Sequence, residues 1–152
     1  MACSVCPEAL PEGNVPSADV VEIRQLLDEM TDAWGRGDAK AYGARFCANG
    51  TFTNVFGDFH VGREEFDRRH EDVFGGIFKG VGLSMEIRKL RFPRPDVALA
   101  DIVTTLAGAK VRPPGVKPGP DGTLSSALFM VLTKDAGRSG ISAYHNIWRS
   151  PP

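Results

Sequence analysis

The sequence lacks an excess of charge of either sign. Its 152 residues include 18 Lys and Arg and 19 Asp and Glu, for a formal net charge of −1. This balance gives no electrostatic reason to bind nucleic acid or an anionic membrane, and we expect neither as a partner. No apolar run approaches the roughly 20 residues that span a bilayer. A basic N-terminal region followed by an apolar core is also missing, so we expect no signal peptide and a cytoplasmic location.

Cysteine is scarce and its number is odd. The three residues are Cys3, Cys6 and Cys47, which argues against a closed disulfide framework. Cys3 and Cys6 have the spacing of half a zinc site or of a redox pair. A zinc site needs two further ligands at suitable spacing, and a redox motif belongs at a strand-to-helix junction. Neither context surrounds them in the proline- and glycine-containing residues 1–16, which we predict to form a flexible N-terminal arm.

Motifs for cofactors and metals are missing as well. We find no phosphate loop, dinucleotide fingerprint or nucleophile elbow, so we predict no cofactor. The three histidines are His60, His70 and His145. No two of them have the spacing of a metal-binding pair within one helix or strand, so we predict no metal site.

The first half of the chain carries helical signals. From Val20 to Trp34, apolar side chains recur at spacings of three and four, which predicts an amphipathic helix. Glycines follow Trp34 and end this pattern. Asp38 can then cap a second, shorter helix over residues 39–46.

Turn and strand signals follow the two helices. Asn49–Gly50 has the composition of a turn, and the next six residues are rich in β-branched and aromatic side chains, which suits a strand. Gly62 precedes a third helical pattern. The C-terminal half then predicts four strands, over residues 83–92, 97–106, 124–133 and 141–148. Residues 112–122, rich in proline and glycine, are predicted to form a mobile loop.

This order of elements predicts an α+β fold. Consecutive antiparallel strands behind segregated helices exclude a parallel, doubly wound sheet. A strongly twisted sheet with helices on one face curls into a cone, and its open end leaves a cavity between helices and sheet. We therefore expect one domain over residues 17–150, with three helices packed on a curved, mixed but mostly antiparallel sheet around one small-molecule pocket.

Two regions resemble motifs of the NTF2-like (cystatin-like) superfamily, which includes ketosteroid isomerase and the SnoaL-type polyketide cyclases. Residues 33–42, AWGRGDAKAY, and residues 46–52, FCANGTF, are similar to the family's helix–Gly-Asp–helix opening. Residues 61–66, VGREEF, are similar to the start of its third helix. The resemblance spans residues 17–150 and implies the cone-shaped fold. It implies no single activity, because unrelated activities share this fold.

Three shorter features are similar to the SgcJ/EcaC group of that superfamily, whose members accompany enediyne polyketide gene sets. They are residues 49–54, NGTFTN, residues 68–70, RRH, and residues 144–146, YHN. This likeness implies a homodimer formed through the open face of the sheet and a role in bacterial natural-product biosynthesis. It implies no settled reaction.

The site of ketosteroid isomerase does not carry over residue by residue. That chemistry needs a carboxylate base and two acidic hydrogen-bond donors. The base would fall at Asn54, which cannot accept a proton at neutral pH, and the two donors would fall at Met30 and Met130. We therefore reject steroid-isomerase chemistry for this sequence.

Two residues on the late strands are candidate catalytic groups. SnoaL-type cyclases use one acid/base carboxylate on a late strand, and Asp101 lies inside an apolar run at such a place; an outward carboxylate paired with Lys or Arg is the alternative. His145 is a candidate general acid or base near pH 7. Alternation places it on the face of Ala143 and Ile147. Alternation does not decide whether His145 faces the pocket, forms a hydrogen bond across the sheet or faces a dimer partner.

The wall of the pocket is predicted to be largely aromatic. The candidate ligand contacts are Trp34, Tyr42, Phe52, Asn54, His70, Phe74, Phe78 and Met130. A buried asparagine must find hydrogen-bond partners, and a ligand can be one of them. For His70 the alternative is a core histidine with its own hydrogen bond, and for Trp34 it is a plain core residue.

Three functions remain open from the sequence. The first is a pocket protein that binds and shields a hydrophobic polyketide intermediate, aromatic or polyene in character. The second is an isomerase, cyclase or dehydratase that uses His145 with Asp101 or Asn54 as acid and base. The third is an interaction module, in which the open sheet face forms a dimer and residues 112–122 dock a partner synthase.

Overall fold

In a computed structural model of the chain, which describes residues 17–151, helices precede most of the strands. The helices are α1 (Ser17–Arg36), α2 (Ala39–Tyr42) and α3 (Arg63–Gly75). The strands are β1 (Phe46–Thr53), β2 (Phe59–Val61), β3 (Gly82–Arg94), β4 (Val97–Ala107), β5 (Leu124–Asp135) and β6 (Arg138–Trp148). The N-terminal arm predicted over residues 1–16, with Cys3 and Cys6, lies outside the described residues.

The strands form a six-stranded sheet in the order β2-β1-β6-β5-β4-β3. Strand β1 runs parallel to β6, and the other neighbouring pairs are antiparallel. The four long C-terminal strands follow one another across the sheet, as the sequence predicts. The α+β class and the curved, mixed but mostly antiparallel sheet are confirmed.

One face of the sheet is buried under the helices, and the alternation of burial identifies it. In β4, Ala100 and Ile102 are buried, whereas Asp101 between them is exposed. Helix α1 supplies the apolar stripe that the sequence predicts, and its buried members are Ile23, Leu26, Leu27, Met30 and Ala33. Burying one large aliphatic side chain stabilises a fold by about 1.5 to 3 kcal/mol. Contact between this stripe and the inner sheet face therefore holds the helices in place.

The connection between β4 and β5 contains no helix or strand. Within it, the Gly119 N–H donates to the Thr123 carbonyl oxygen at 2.9 Å, and the Asp121 carboxylate accepts from the Thr123 N–H at 3.1 Å. Val116 packs against a small apolar cluster beside the main core. The mobility expected for residues 112–122 stays a prediction.

The turn predicted at Asn49–Gly50 is wrong, because both residues lie inside β1. The register of β1 against β6 shifts between Phe46 and Thr51, so Gly50 lies in an irregular part of the strand. A Cβ atom on Gly50 would lie 2.7 Å from the Phe46 ring and 3.0 Å from the Ile141 carbonyl oxygen. The second helix is also shorter than predicted and ends at Tyr42.

We expect Gly50→Ala to lower the free energy of unfolding by about 2 kcal/mol, because the added methyl group overpacks its contact with Phe46. Gly35→Ala is the matched control, since nothing lies within 4 Å of a Cβ atom at that position. In a helix, alanine is favoured over glycine by up to about 1 kcal/mol. Chemical denaturation of both variants checks this expectation, and equal stabilities would contradict it.

Candidate functional site

A cavity of about 290 Å³ lies between the helices and the inner face of the sheet. Its aromatic lining residues are Trp34, Tyr42, Phe52, Phe56, Phe78, Tyr144 and Trp148. Its uncharged polar residues are Asn54, His70, Thr104, Ser126 and Asn146. The charged lining residues Asp58, Arg69 and Asp72 are exposed or half-exposed. Charge in the lining is therefore confined to the mouth.

Strand β6 contributes three lining residues because side chains alternate between the faces of a strand. Tyr144, Asn146 and Trp148 lie on the inner face and line the cavity. His145 and Ile147 lie between them on the outer face, where Ile147 is 67% exposed. The inner face of β6 thus presents polar and aromatic side chains to the cavity.

The floor of the cavity includes a row of residues that crosses three strands. Thr104 on β4 pairs with Ser126 on β5, and Ser126 pairs with Trp148 on β6. The hydroxyl groups of Thr104 and Ser126 are buried and hydrogen-bonded to each other. These small, uncharged side chains leave space above the sheet. Their hydroxyl groups pair with each other across the floor of the cavity.

Two tyrosine hydroxyl groups meet at the cavity wall. Oη of Tyr42 lies 3.2 Å from Oη of Tyr144, and both residues are buried. Burial raises the pKa of both phenols, and that of Tyr144 reaches about 12. Both groups therefore keep their protons at neutral pH. Because one hydroxyl donates to the other, the proton of the second is left for a molecule in the cavity.

His70 on α3 offers one ring nitrogen as an acceptor. Its Nδ1 lies 2.8 Å from the Phe66 carbonyl oxygen. A carbonyl oxygen only accepts, so Nδ1 carries the proton and Nε2 is unprotonated. The ring packs on Tyr42, with centroids 4.6 Å apart. Burial lowers the pKa of His70 to about 4, which leaves the imidazole neutral at pH 7.

Two polar atoms of β6 are buried at the cavity without a hydrogen-bond partner among residues 17–151. They are Oδ1 of Asn146 and Nε1 of Trp148. Trp34 provides the contrast, because its Nε1 donates to the Val81 carbonyl oxygen at 2.8 Å. Buried polar groups in proteins are normally hydrogen-bonded. These two atoms therefore lack a partner that a molecule bound in the cavity would supply.

Asn54 lies at the mouth of the cavity and shapes the turn after β1. Its Oδ1 accepts from the backbone N–H groups of Phe56 and Asp58, both at 3.0 Å. Its Nδ2 donates to Oδ2 of Asp58 at 3.1 Å. The polar atoms of Asn54 are thus committed to the loop that carries the exposed ring of Phe56 beside the opening.

Most of the ligand contacts predicted from the sequence line this cavity, namely Trp34, Tyr42, Phe52, Asn54, His70 and Phe78. Phe74 and Met130 lie outside the lining. The Phe74 ring stands edge-on to Trp34, with centroids 4.9 Å apart, and so supports a wall residue. Met130 is fully buried in the core.

The two candidate catalytic residues lie on the opposite face of the sheet. Asp101 pairs with Phe129, and Phe129 pairs with His145, so the three share one face. Asp101 and His145 are exposed there, and neither lines the cavity. The structure therefore does not bring them together with Asn54, because strand alternation turns them away from the helices.

Sequence reasoning missed Tyr144, Asn146 and Trp148 as residues of the site. Asp101 marks the outer face of β4, because an exposed acid in an apolar strand points away from the core, but only the strand register of the structure extends this signal to β6. Strand register carries that face from β4 across to His145 on β6. The alternate residues of β6 must then face inward.

Within residues 17–151, no three or more His, Cys, Asp or Glu side chains are grouped to hold a metal ion. No helix in this range combines the length and apolar character required to cross a membrane. Cys47 on β1 is a free thiol whose Sγ lies 3.7 Å from Oγ of Ser142.

The fold is that of the cystatin-like, or NTF2-like, class. A domain of unknown function with a cystatin-like fold from Nostoc punctiforme is 25% identical, with a TM-score of 0.75 over 89% of this chain and 80% of that one. An NTF2-like protein of unknown function from Shewanella oneidensis is 19% identical, with a TM-score of 0.70 over 85% and 98%. A ketosteroid isomerase-like protein from Erwinia carotovora atroseptica is 20% identical, with a TM-score of 0.67 over 88% and 98%.

Comparison at the level of sequence adds no narrower family. No protein-family model matches the chain, and no curated protein matches it. The structural likeness confirms the NTF2-like fold that the sequence motifs imply. It does not show the enediyne-associated SgcJ/EcaC group within that fold.

Proposed function

We propose that the chain binds a small, uncharged molecule with two fused rings in the cavity between its helices and its sheet. The observation that carries the proposal is the volume of the cavity together with its lining. An apolar cavity of about 150 Å³ holds one benzene ring, and this cavity has about 290 Å³. Its aromatic wall favours flat rings, which gain from stacked and edge-on contacts. Its few inward polar groups would set the orientation of the ligand.

The protonation states of the lining favour binding over proton transfer. A general acid or base works best when its pKa lies near the operating pH. Burial lowers the pKa of His70 to about 4 and raises the pKa of Tyr144 to about 12. Both groups are thus neutral at pH 7, as donors and acceptors that suit an uncharged ligand.

As the natural ligand we propose a polyketide-type intermediate, aromatic or polyene in character. The protein would shield or orient it during bacterial natural-product biosynthesis. The aromatic lining supports this ligand class, since such intermediates are largely apolar and unsaturated. The sequence resemblance to the SgcJ/EcaC group supports an enediyne polyketide in particular.

Titration with 2-naphthol, a two-ring probe, tests the binding function. Both tryptophans of the chain line the cavity, so their fluorescence reports its occupation. We expect a saturable change in emission. Ser126→Leu fills the floor and should weaken binding at least about tenfold. Ala127→Leu is the matched control, because Ala127 is the adjacent residue and is exposed on the outer face.

Thermal melting establishes that each of these variants is folded. The Ala127→Leu variant should bind 2-naphthol as the native chain does. Equal affinities of the two folded variants would contradict the location of the site. The absence of any saturable change with the native chain would contradict the binding function.

A second candidate function is the stabilisation of an enolate, which the Tyr42–Tyr144 pair favours. A hydroxyl donor aimed at a developing oxyanion lowers the barrier to enolisation, above all in a site that excludes water. The structural likeness to a ketosteroid isomerase-like protein supports this class of reaction. His70 Nε2 would be the uncommitted base of the cavity lining, and its lowered pKa makes it a weak one at pH 7.

Exchange of the α-protons of 1-tetralone in D₂O, followed by NMR, tests this second candidate. The native chain should accelerate exchange above the buffer rate. Tyr144→Phe should lose about a hundredfold of that acceleration, since removal of one oxyanion donor typically has an effect of this size. Exchange at the buffer rate with the native chain would eliminate this function and leave binding as the proposal.

We also propose a homodimer formed through the outer face of the sheet. Ile147 is 67% exposed on that face, which also carries the half-buried Phe129 and Val131. A contiguous exposed apolar surface marks an interaction site. Sedimentation equilibrium checks the proposal, and a native chain that stays monomeric at high concentration would contradict it.

A further inference from the structure

We infer that Asn146 and Trp148 together recognise a neutral hydroxyl group on a ring of the ligand, so that the cavity selects a phenol-type molecule over the parent hydrocarbon. This inference rests on the binding function proposed above and specifies its ligand. The two residues lie two positions apart on β6, and both line the cavity.

The two buried atoms have opposite hydrogen-bonding capacities. The amide Oδ1 of Asn146 only accepts, and the indole Nε1–H of Trp148 only donates. Neither atom has a partner in the described part of the chain, residues 17–151. A hydroxyl group satisfies both, because its oxygen accepts from Nε1–H while its proton is donated to Oδ1. An ether oxygen satisfies only the indole, and a hydrocarbon satisfies neither.

Strand geometry brings both side chains within reach of one group. Residues two apart on a strand share a face and lie about 7 Å apart along it. Two hydrogen bonds of about 2.9 Å each that meet at one hydroxyl oxygen join atoms less than about 6 Å apart. A ligand hydroxyl therefore bonds to both side chains when their polar ends lean toward each other.

The other polar groups of the inner cavity either have partners or, like the free tyrosine proton and Nε2 of His70, carry no charge. The Trp34 indole donates to a backbone carbonyl oxygen, and the hydroxyls of Thr104 and Ser126 bond to each other. Arg69, the cation of the lining, is held at the mouth by Glu65, with Nε and Oε1 2.8 Å apart. The inner cavity thus offers no cation to a phenolate or carboxylate. It therefore favours a ligand whose hydroxyl group is neutral.

Three probes with the same ring system test the contributions of the hydrogen-bond donor and acceptor separately. 2-Naphthol offers a donor and an acceptor, 2-methoxynaphthalene an acceptor alone, and naphthalene neither. Calorimetric titration of the native chain should show 2-naphthol binding about ten to a hundred times more tightly than naphthalene, with the ether between them. The indole N–H resonance of Trp148 should move downfield with 2-naphthol and less with naphthalene.

Variants of the two residues should remove the preference and leave the binding of naphthalene. We expect Trp148→Phe and Asn146→Leu to reduce the ratio of the two affinities to about threefold or less. His145→Leu is the matched control, because His145 is the neighbour of Asn146 on the outer face. That variant should keep the native ratio.

The outcomes distinguish this inference from the function on which it rests. Similar affinities of the three probes for the native chain would overturn hydroxyl recognition and leave the binding function intact. Failure of all three probes to bind would overturn the binding function itself. If thermal melting shows that either β6 variant is unfolded, the probe series on the native chain and the Trp148 resonance decide alone.

Discussion

Phe66→Ala is expected to lower the free energy of unfolding by about 3 to 5 kcal/mol, the usual result of removing a buried aromatic ring. Phe66 on α3 is wholly buried. Its ring stacks on Phe46, with centroids 4.2 Å apart, and stands edge-on to Phe52 and Tyr144 at 5.1 and 5.3 Å. One side chain therefore joins α3 to β1 and β6, and its loss leaves a hole among three rings.

Phe56→Ala is the matched control for this loss. The Phe56 ring is 60% exposed, so its removal should change stability by no more than about 0.5 kcal/mol. Urea denaturation of both variants provides the measurement. The Phe66 variant should also bind 2-naphthol more weakly, because Phe66 holds His70 and supports Tyr144. Similar stabilities of the two variants would contradict a core built on Phe66.

Acidification from about pH 7.5 to about pH 4.5 is expected to remove about 2 to 3 kcal/mol of stability through His70 alone. Burial lowers the pKa of His70 in the folded chain from 6.5 to about 4. Below pH 6.5 the unfolded chain therefore binds a proton that the folded chain excludes. The stabilising contribution is complete above pH 6.5 and is lost as the pH falls toward 4.

His70→Phe isolates this effect, because phenylalanine keeps an aromatic ring beside Tyr42 and cannot titrate. Other titratable groups also contribute stability that the protein loses in acid. The hydrogen bonds from Arg68 and Arg69, for example, lower the pKa of Glu65 to about 2. Those groups are common to both proteins and cancel in the difference. Denaturation at a series of pH values should show the native chain losing more stability than the variant, and parallel curves would contradict a buried, neutral His70.

Most of the fold could be predicted because periodicity reports which side of an element is buried. The stripe from Val20 to Trp34 and the alternation in the late strands are of this kind. Asn49–Gly50 is not. A glycine that permits a turn and a glycine that makes room for a crowded ring look the same in sequence. The proximity of Gly50 to Phe46 and Ile141 exists only after β1 has paired with β6.

The aromatic wall of the site could be predicted in large part, but the orientation of β6 could not. Both faces of that strand carry apolar residues, since Ile147 points outward and Trp148 inward. Hydrophobicity therefore does not separate the two faces. Register with β4, whose outer face carries Asp101, decides between them, and register depends on tertiary pairing. For this reason the sequence does not show that His145 lies on the outer face.

Intermolecular NOEs between bound 2-naphthol and the methyl groups of the protein show directly which face of the sheet is functional. Leu83, Met85 and Leu106 line the cavity, whereas Val103, Val131 and Ile147 lie on the outer face of the sheet. The cavity between helices and sheet predicts NOEs to the methyl groups of the first set. NOEs confined to the second set would contradict it.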